Sequence, residues 1–378
     1  MGKTILEETI SGLLRFSKNI SEISLVIAPR DLDRAKELFG KEEKVRIYIQ
    51  EEPNGAGQGL LKVFNKNFSG SFFLTTGDKI NAAQILEKLK GEDQAVAIRK
   101  TDEPEHFGIV ELDSKKNITS VIEKPAKGKE PSSYKITSAY LLDSTFLKTL
   151  SKFEKEHYSL EAALNKYVKE NQVKGVFVDD VPDTRLKFPW DLLDINQKLQ
   201  GARRSHFVHD LAQISKTAVI EGPVYIDKNA RIADFVKIVG PVYIGPNAVI
   251  GDFSLVRNGS FIDQGAVIGA HSEIKNSIVY QGASVHRSYI GDSVIDSGAR
   301  IGGGVVFANK RYDREVVKSV IKGEKLSTGL KAFGAVLGFS SSVGTNATLM
   351  PGVKIGNKAI VWPGKVVLED LKDDQTLK

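Results

Sequence analysis

The second half of the chain carries an aliphatic residue at every sixth position. The series runs Ile220, Ile226, Ile232, Ile238, Ile244, Ile250, Val256, Ile262, Ile268 and Ile274. The residue two places before each of these is small or β-branched, and glycine follows at Gly245, Gly251 and Gly269. A six-residue period is typical of solenoids in which each repeat supplies one short strand and one turn. The pattern therefore predicts a left-handed parallel β-helix of hexapeptide repeats, with the aliphatic side chains pointing into a narrow axial core.

The repeat is interrupted late in the chain. It resumes as Leu337, Val343, Leu349, Ile355, Val361 and Val367. We expect the β-helix over residues 212–370, with residues 308–332 leaving it as an inserted loop. Such excursions are commonly functional, and this one is rich in polar and basic residues, although a merely solvated loop is also compatible with the sequence.

The first half alternates predicted strands and helices. Strand candidates are residues 23–29, 44–49, 71–76, 94–99 and 174–179, and helical periods run through residues 5–14 and 192–199. Such alternation predicts an α/β, Rossmann-like sheet. Pro189 suits the first turn of the last helix. We therefore place the α/β domain at residues 1–204.

Composition narrows the classes of function. Hydrophobic residues make up 41% and charged residues 26%, as in a folded globular protein. No apolar run is long enough to span a membrane and the first residues lack the core of a secretory signal, so we expect a cytoplasmic protein without membrane attachment. The absence of cysteine excludes disulfides, thiolate metal ligands and cysteine nucleophiles. The net charge of +6 comes without a basic, aromatic-rich block, so small anions are expected ligands and nucleic acid is not.

Seven residues late in the repeats carry a resemblance to a known family. They are Arg257, Lys275, the H-x-x-Y-x-G-D motif of His286, Tyr289, Gly291 and Asp292, and Asn309. Together with a preceding α/β domain, they resemble the bifunctional N-acetylglucosamine-1-phosphate uridyltransferases/glucosamine-1-phosphate N-acetyltransferases, in their archaeal form. The resemblance covers nearly the whole chain. It implies acetyl transfer from acetyl-CoA to an amino-sugar phosphate, in the synthesis of a UDP-N-acetylhexosamine.

The resemblance also implies roles for individual residues. Arg257 and Lys275 would hold the sugar phosphate, Tyr289 and Asn309 the sugar, and His286 would be the catalytic base. A histidine suits that task because its pKa lies near neutrality, and general-base catalysis typically contributes ~10²–10⁴-fold. Arginine suits phosphate because its guanidinium binds oxygens in a bidentate manner.

Further positions follow from the same resemblance. Lys318 resembles a basic residue of the inserted loop in archaeal members, and Thr345 and Pro363 fall where acetyl-CoA would contact the last coils. One departure is Arg300, which stands where the family has asparagine. The resembled enzymes form trimers with the acetyl site between neighbours, so we expect a homotrimer in which loop 308–332 reaches an adjacent subunit.

The α/β half resembles the family less completely. The G-x-G-x-R loop that binds the triphosphate is not in the sequence, which starts near the family's G-K-P-I-L; without such backbone amides we expect nucleotide activation to fail. Remnants of a nucleotide and sugar site are Gln50, Gly55, Ala56, Gly108, Glu123 and Lys124, and Asp78 would bind Mg²⁺ if the domain is active. Ile136 replaces an expected asparagine, and Leu160 and Glu161 replace a more acidic segment.

Three functions remain open at this stage. The leading one is a glucosamine-1-phosphate N-acetyltransferase, with galactosamine 1-phosphate as an undecided second acceptor. The second is a sugar-1-phosphate nucleotidyltransferase using UTP or dTTP, if an upstream start restores the missing loop. The third is a non-catalytic scaffold or regulatory subunit, which would have no reason to keep His286, Tyr289 and Asn309 together.

Overall fold

The computed structural model describes residues 2–16, 20–52, 54–64, 68–154, 158–202 and 206–378. The chain divides into two compact units, Lys3–Thr184 and Arg185–Lys378. The end of the α/β domain placed at residue 204 by sequence lies outside the described residues. The last helix before the repeats groups with the repeats in this division.

The first unit is an α/β fold, as the sequence predicts. Its helices are α1 (Ile5–Leu14), α2 (Leu32–Phe39), α3 (Ala56–Val63), α4 (Ala82–Leu89), α5 (Ser144–Leu150) and α6 (Ser159–Glu170). Its strands are β1 (Ile23–Ile27), β2 (Val45–Ile49), β3 (Ser71–Thr75), β4 (Ala95–Lys100), β5 (Gly108–Leu112), β6 (Ile118–Glu123), β7 (Tyr134–Asp143) and β8 (Lys174–Phe177). The five predicted strands are β1 to β4 and β8.

The strands of this unit form two sheets. β1 and β2 pair in parallel. The larger sheet has the order β6-β5-β7-β4-β8, with β3 also paired to β7. Its core contains the fully buried Val96, Ile98 and Val110 of the sheet, against which Leu160 and Leu164 of α6 pack. Burial of the apolar faces of sheet and helix is what holds this unit together.

The second unit begins with helix α7 (Asp191–Gly201) and continues as a column of short strands. Before the interruption these are β9 (Phe207–Val208), β10 (Gln213–Ile214), β11 (Val219–Glu221), β12 (Val224–Ile226), β13 (Arg231–Ile232), β14 (Lys237–Val239), β15 (Val242–Ile244), β16 (Val249–Ile250), β17 (Leu255–Arg257), β18 (Phe261–Ile262), β19 (Val267–Ile268), β20 (Glu273–Lys275), β21 (Ile278–Val279), β22 (Ser284–Val285), β23 (Tyr289–Gly291), β24 (Val294–Ile295), β25 (Arg300–Ile301) and β26 (Val306–Phe307). The interruption itself holds β27 (Lys318–Ile321) and β28 (Glu324–Ser327). After it come β29 (Val336–Leu337), β30 (Ser342–Val343), β31 (Thr348–Leu349), β32 (Lys354–Ile355), β33 (Ile360–Val361), β34 (Val366–Val367) and β35 (Thr376–Leu377).

The column has three faces of parallel strands, so the β-helix predicted from the repeat is confirmed. Face A contains β10, β13, β16, β19, β22, β25, β30, β33 and β35, face B contains β11, β14, β17, β20, β23, β26, β31 and β34, and face C contains the rest except β27 and β28. Three hexapeptides make one coil, so Ile226 lies beside Ile244 and Ile232 beside Ile250. These aliphatic residues are almost completely buried along the axis.

Coils of fewer than eighteen residues occur where the six-residue pattern fades. Glu273 pairs with Tyr289, sixteen residues later, whereas Leu255 pairs with Glu273, eighteen residues later. The shorter coil keeps its buried residues in register, because Ile274 still lies against Ile290. The coil from Glu273 to Tyr289 lacks one residue in the turn before β21 and one in the turn before β23, and His286 lies in the second of these turns.

The inserted segment is not wholly irregular. Within it β27 and β28 pair as an antiparallel hairpin, and the chain returns to the column through the buried Phe333. Phe333 packs edge-on against Trp190, which lies just before α7. The side chains of Asn196 and Gln200 on α7 both donate hydrogen bonds to the carbonyl of Gly259, so the helix is fastened to the column. The insertion and α7 thus brace the coils that carry the candidate site.

Candidate functional site

Parallel pairing of β17, β20 and β23 places Arg257 beside Lys275 on face B. The register is Arg257 to Lys275 to Gly291 across three successive coils. Neighbouring strands lie about 4.8 Å apart, so the two cationic side chains stand side by side on one surface. Eighteen residues make one coil at this point, so two residues eighteen apart in sequence lie next to each other on neighbouring strands.

A carboxylate fixes the guanidinium of Arg257. Its Nε and Nη2 donate to Oε1 of Glu273 at 3.0 and 2.7 Å. Glu273 and Lys275 are two residues apart on β20, so both side chains point to the outside of the column. About a third of each side chain of the Arg257–Glu273 pair is exposed, which leaves the guanidinium accessible from solvent.

Asp292 is the centre of the polar cluster on this face. Its side chain is only 5% exposed and accepts hydrogen bonds from Lys275 Nζ at 2.8 Å, Asn276 Nδ2 at 2.7 Å and Asn309 Nδ2 at 2.5 Å. Lys275 and Asn276 are consecutive on one coil and Asn309 lies on a later one, so one carboxylate sets the positions of side chains far apart in sequence. An ammonium has three donors, so the contact with Asp292 leaves donors of Lys275 for a bound anion.

Tyr289 and Asn309 lie over Gly291. The Asn309 amide donates to the Tyr289 hydroxyl at 3.3 Å. A Cβ at position 291 would lie 2.6 Å from Asn309 Nδ2 and 2.7 Å from the Tyr289 hydroxyl. The glycine of the H-x-x-Y-x-G-D motif is therefore required for these two side chains to meet.

His286 lies on the corner between faces A and B, three residues before Tyr289. Its backbone N–H donates to the carbonyl of Ile301 at 3.0 Å. The exposed imidazole lies between two glycines, since a Cβ at Gly269 would be 3.4 Å from His286 Cδ2 and one at Gly303 would be 3.9 Å from Nδ1. Because both neighbours are glycines, no side chain at positions 269 and 303 covers the ring.

An open groove of about 390 Å³ runs past His286. It is lined by His286, Arg300, Ile301, Gly302, Ser342, Val343, Gly344, Ile360, Val361, Trp362 and Pro363. Arg300, Ser342 and Ile360 succeed one another across face A, so the groove follows successive coils. Because β22, β25, β30 and β33 are in register, Thr345 and Pro363 occupy the same corner as His286, on later coils.

The structure thus brings some of the predicted site residues together and not others. Lys275, Tyr289 and Asn309 belong to the Asp292 cluster, Arg257 adjoins it, and His286 lies on the next corner. Lys318 begins β27 on the hairpin, where it is exposed and its carbonyl packs against Gly352. β27 is not one of the strands of face B, which carries the cluster.

Sequence reasoning assigned no role to Asp292, Asn276 or Glu273. Asp292 was visible as the last residue of the motif, and Glu273 as the neighbour two places before Lys275. Asn276 and Asp292 have φ values of 46° and 51°, in the left-handed region that asparagine and aspartate tolerate. No sequence signal we recognised would have joined them.

In the first unit, the predicted remnant residues form two groups. Gln50 Nε2 donates to the carbonyl of Gly55 at 3.2 Å, and Ala56 starts α3 directly after it. Gly108 pairs with Glu123 between β5 and β6, and a Cβ at Gly108 would lie 2.8 Å from Glu123 Oε2.

Lys124 belongs to the second of these groups. Its Nζ donates to the Tyr158 hydroxyl at 2.8 Å, and this bond raises the pKa of Lys124. The Lys124 ammonium also lies 4.8 Å from the centre of the Tyr158 ring. Tyr158 therefore fixes the position of the lysine that the sequence analysis named among the remnants of a nucleotide and sugar site.

Asp78 lies in the loop between β3 and α4, next to a buried lysine. The Lys79 side chain is 9% exposed, and its Nζ donates to the carbonyl of Thr184 at 2.6 Å and lies 3.8 Å from Asp183 Oδ1. Burial lowers the pKa of Lys79, an effect that Asp183 and Asp78 oppose. Within the described ranges, no three histidine or acidic side chains are grouped so that they could hold a metal ion.

No helix in the part of the chain that the structure describes is long and apolar enough to cross a membrane.

Comparisons with known proteins agree with this division of the chain. The nucleotidyl transferase family matches residues 1–184, and the bacterial transferase hexapeptide (six repeats) family matches residues 223–258. The bifunctional sugar-1-phosphate nucleotidylyltransferase/acetyltransferase of Sulfurisphaera tokodaii is 30% identical, over 98% of this chain and 91% of its own length. The bifunctional protein GlmU of Methanococcus aeolicus is 30% identical, and that of Methanococcus maripaludis strain C7 is 33% identical, each over 99% of this chain and 89% of its own length.

Proposed function

We propose a specific activity for this chain, which belongs to the family of bifunctional sugar-1-phosphate nucleotidylyltransferases/acetyltransferases. Its repeat column transfers the acetyl group of acetyl-CoA to the amine of glucosamine 1-phosphate. The observation that carries the proposal is the polar cluster of Lys275, Tyr289, Asp292 and Asn309 on face B, one corner away from an accessible His286. Two cations and several hydrogen-bond donors suit a phosphorylated sugar.

Recognition of the sugar phosphate falls to face B. Arg257 and Lys275 neutralise the phosphate, and charge-assisted hydrogen bonds of this kind are about twice as strong as neutral ones. Glu273 and Asp292 hold the two cations in place before the ligand arrives, which lowers the entropy lost on binding. Tyr289 and Asn309 hydrogen-bond the sugar hydroxyls.

The chemical step is an attack of the sugar amine on the thioester carbonyl. The nitrogen forms a bond to the acetyl carbon, and His286 takes the proton that the amine loses. The tetrahedral oxyanion is stabilised by a backbone N–H, after which the carbon–sulfur bond breaks. The proton on His286 then passes to the departing thiolate, so the products are the acetylated sugar phosphate and coenzyme A.

The groove along face A is our candidate path for acetyl-CoA. It begins at His286 and continues over later coils to Trp362 and Pro363. Thr345 lies at the same corner, on one of these later coils. Arg300 presents a guanidinium in this groove and offers a partner for the phosphates of the coenzyme. Arg300, which stands where the family has asparagine, would thus bind acetyl-CoA and not the sugar.

The proposal is tested by following coenzyme A release with a thiol-reactive dye. Because the chain has no cysteine, the protein adds no thiol background. We expect thiol release from acetyl-CoA with glucosamine 1-phosphate, and far less with glucosamine, since the unphosphorylated sugar leaves Arg257 and Lys275 without their partner. Galactosamine 1-phosphate, run in parallel, decides the second acceptor. No release and no acetyl-CoA binding by calorimetry would favour a scaffold instead.

We further propose that the protein is a homotrimer in which loop 308–332 reaches an adjacent subunit. The column exposes apolar side chains, among them Ile360 and Val366 on its faces and Trp362 at a corner, and such surfaces mark sites of association. The groove beside His286 is open on one side, and a neighbouring column would close it. Sedimentation equilibrium should give three times the chain mass of 41.4 kDa. The mass of a single chain would rule the trimer out.

A further inference from the structure

The loop between β3 and α4 is where the resemblance implies a magnesium ion, on Asp78. Magnesium in proteins requires about six oxygen ligands at ~2.0–2.1 Å, commonly one or two carboxylates together with water and phosphate. A second carboxylate, Asp183, approaches the same loop from the segment after β8. The side chain that connects this loop to the segment is that of a lysine, Lys79.

The Lys79 ammonium is held by that segment. It donates to the carbonyl of Thr184 at 2.6 Å and lies 3.8 Å from Asp183 Oδ1, with its side chain 9% exposed. The other oxygen of Asp183 accepts a hydrogen bond from Lys135 Nζ at 2.8 Å. Both oxygens of Asp183 therefore already face cations of the protein itself.

Neighbouring contacts fix the same arrangement. The Asn81 amide donates to the carbonyl of Pro182, and the Thr184 hydroxyl donates to Asn81 Oδ1 at 3.0 Å. Asn81 and Thr184 are both almost completely buried. Lys79 is thus part of a packed junction between the loop and the segment, and it is not a surface lysine that can swing away.

We propose that the Lys79 ammonium takes the place of a divalent cation beside Asp78 and Asp183, so that this chain does not bind Mg²⁺ there. A fixed positive charge supplies the neutralisation that the carboxylates need inside the protein. The same charge repels a divalent ion, and the repulsion is strong because a buried site screens charge poorly. The first unit therefore keeps the fold of a nucleotidyl transferase, while Asp183 pairs with Lys79 and Lys135 and not with a metal ion.

The test is a titration of the full chain with Mn²⁺, followed by the electron paramagnetic resonance signal of the free ion. For the unaltered protein we expect no saturable site that depends on Asp78. Lys79→Met keeps a long apolar stem and removes the charge. It should bind Mn²⁺ about tenfold more tightly, because the unit charge no longer repels the ion, and Asp78→Asn added to it should abolish the gain.

Two control variants separate this effect from general electrostatics and from misfolding. Lys88→Met removes a positive charge from the same unit at an exposed pair with Asp180, and Mn²⁺ binding should not change. Lys79→Arg keeps the charge and should bind no better than the unaltered protein. Far-ultraviolet circular dichroism reports whether each variant is folded.

Two results would overturn the proposal. One is a saturable Mn²⁺ site in the unaltered protein that Asp78→Asn removes, a measurement that needs no Lys79 variant. The other is a folded Lys79→Met protein whose Mn²⁺ binding equals that of the unaltered chain.

Discussion

Replacing His286 by alanine is expected to lower kcat for acetyl transfer by ~10²–10⁴-fold, the usual contribution of a general base. The KM for glucosamine 1-phosphate should change by no more than about twofold, because the phosphate and sugar contacts lie on face B and are retained. The measurement is steady-state coenzyme A release at saturating acetyl-CoA.

The pH profile adds a readout that a structural role of His286 would not produce. At higher pH a larger fraction of the sugar amine is already deprotonated and has less need of a base. The deficit of His286→Ala should therefore shrink as the pH rises. A folding defect would give a deficit that is constant with pH or grows with it.

His271→Ala is the matched control for this variant. His271 lies on the preceding coil, also at an exposed corner, where it stacks on Phe253 with the ring centres 5.0 Å apart. It adjoins neither the groove nor the Asp292 cluster, so kcat and KM should stay at the values of the unaltered protein. If His286→Ala retains the turnover of the unaltered protein, His286 is not the base and the proposed step is wrong.

The sequence predicted the column well because its signal is local and repeated. Over residues 220–274 an aliphatic residue recurs at every sixth position and packs in the axial core. The shortened coil between Glu273 and Tyr289 escaped prediction, since one residue removed from each of two turns leaves no mark of its own. Strands β5, β6 and β7 were also missed, because polar residues stand among their apolar ones. β5 and β6 pair with each other, and β7 pairs with β3 and β4, which are distant in sequence.

Prediction of the site was less complete, for a physical reason. Arg257, Lys275, Tyr289 and Asn309 could be named because a family resemblance preserves their spacing. The role of Asp292 depends on contacts among several coils, which no single window of sequence shows. Lys79 is a clearer case, since its partner Thr184 lies 105 residues away and only the folded sheet brings the two together.

Replacing Lys275 by methionine is the second large effect that we expect. The variant loses a charge-assisted contact to the phosphate, worth about 1.5–3 kcal/mol, so kcat/KM for glucosamine 1-phosphate should fall by roughly 10- to 100-fold. It also leaves the 5% exposed carboxylate of Asp292 without its cation. We expect a loss of about 2 kcal/mol in unfolding free energy, less than for a fully buried pair because Asn276 and Asn309 still donate to Asp292.

A second substitution separates the two consequences. Asp292→Asn in the Lys275→Met background removes the unpaired charge, and asparagine accepts the left-handed conformation of position 292. Urea unfolding should then recover most of the lost stability, while kcat/KM stays low because no cation faces the phosphate. Lys237→Met is the control on the same face: its pair with Glu221 is half exposed, so stability should change by no more than about 0.5 kcal/mol.

The pattern of outcomes decides between a binding and a purely structural role of Lys275. If the double variant recovers activity together with stability, Lys275 acts only by neutralising Asp292, and the phosphate must be held elsewhere. If stability returns and activity does not, the cation itself is what the substrate needs. That result would place the sugar phosphate on face B and leave the corner of His286 as the point where the acetyl group meets the amine.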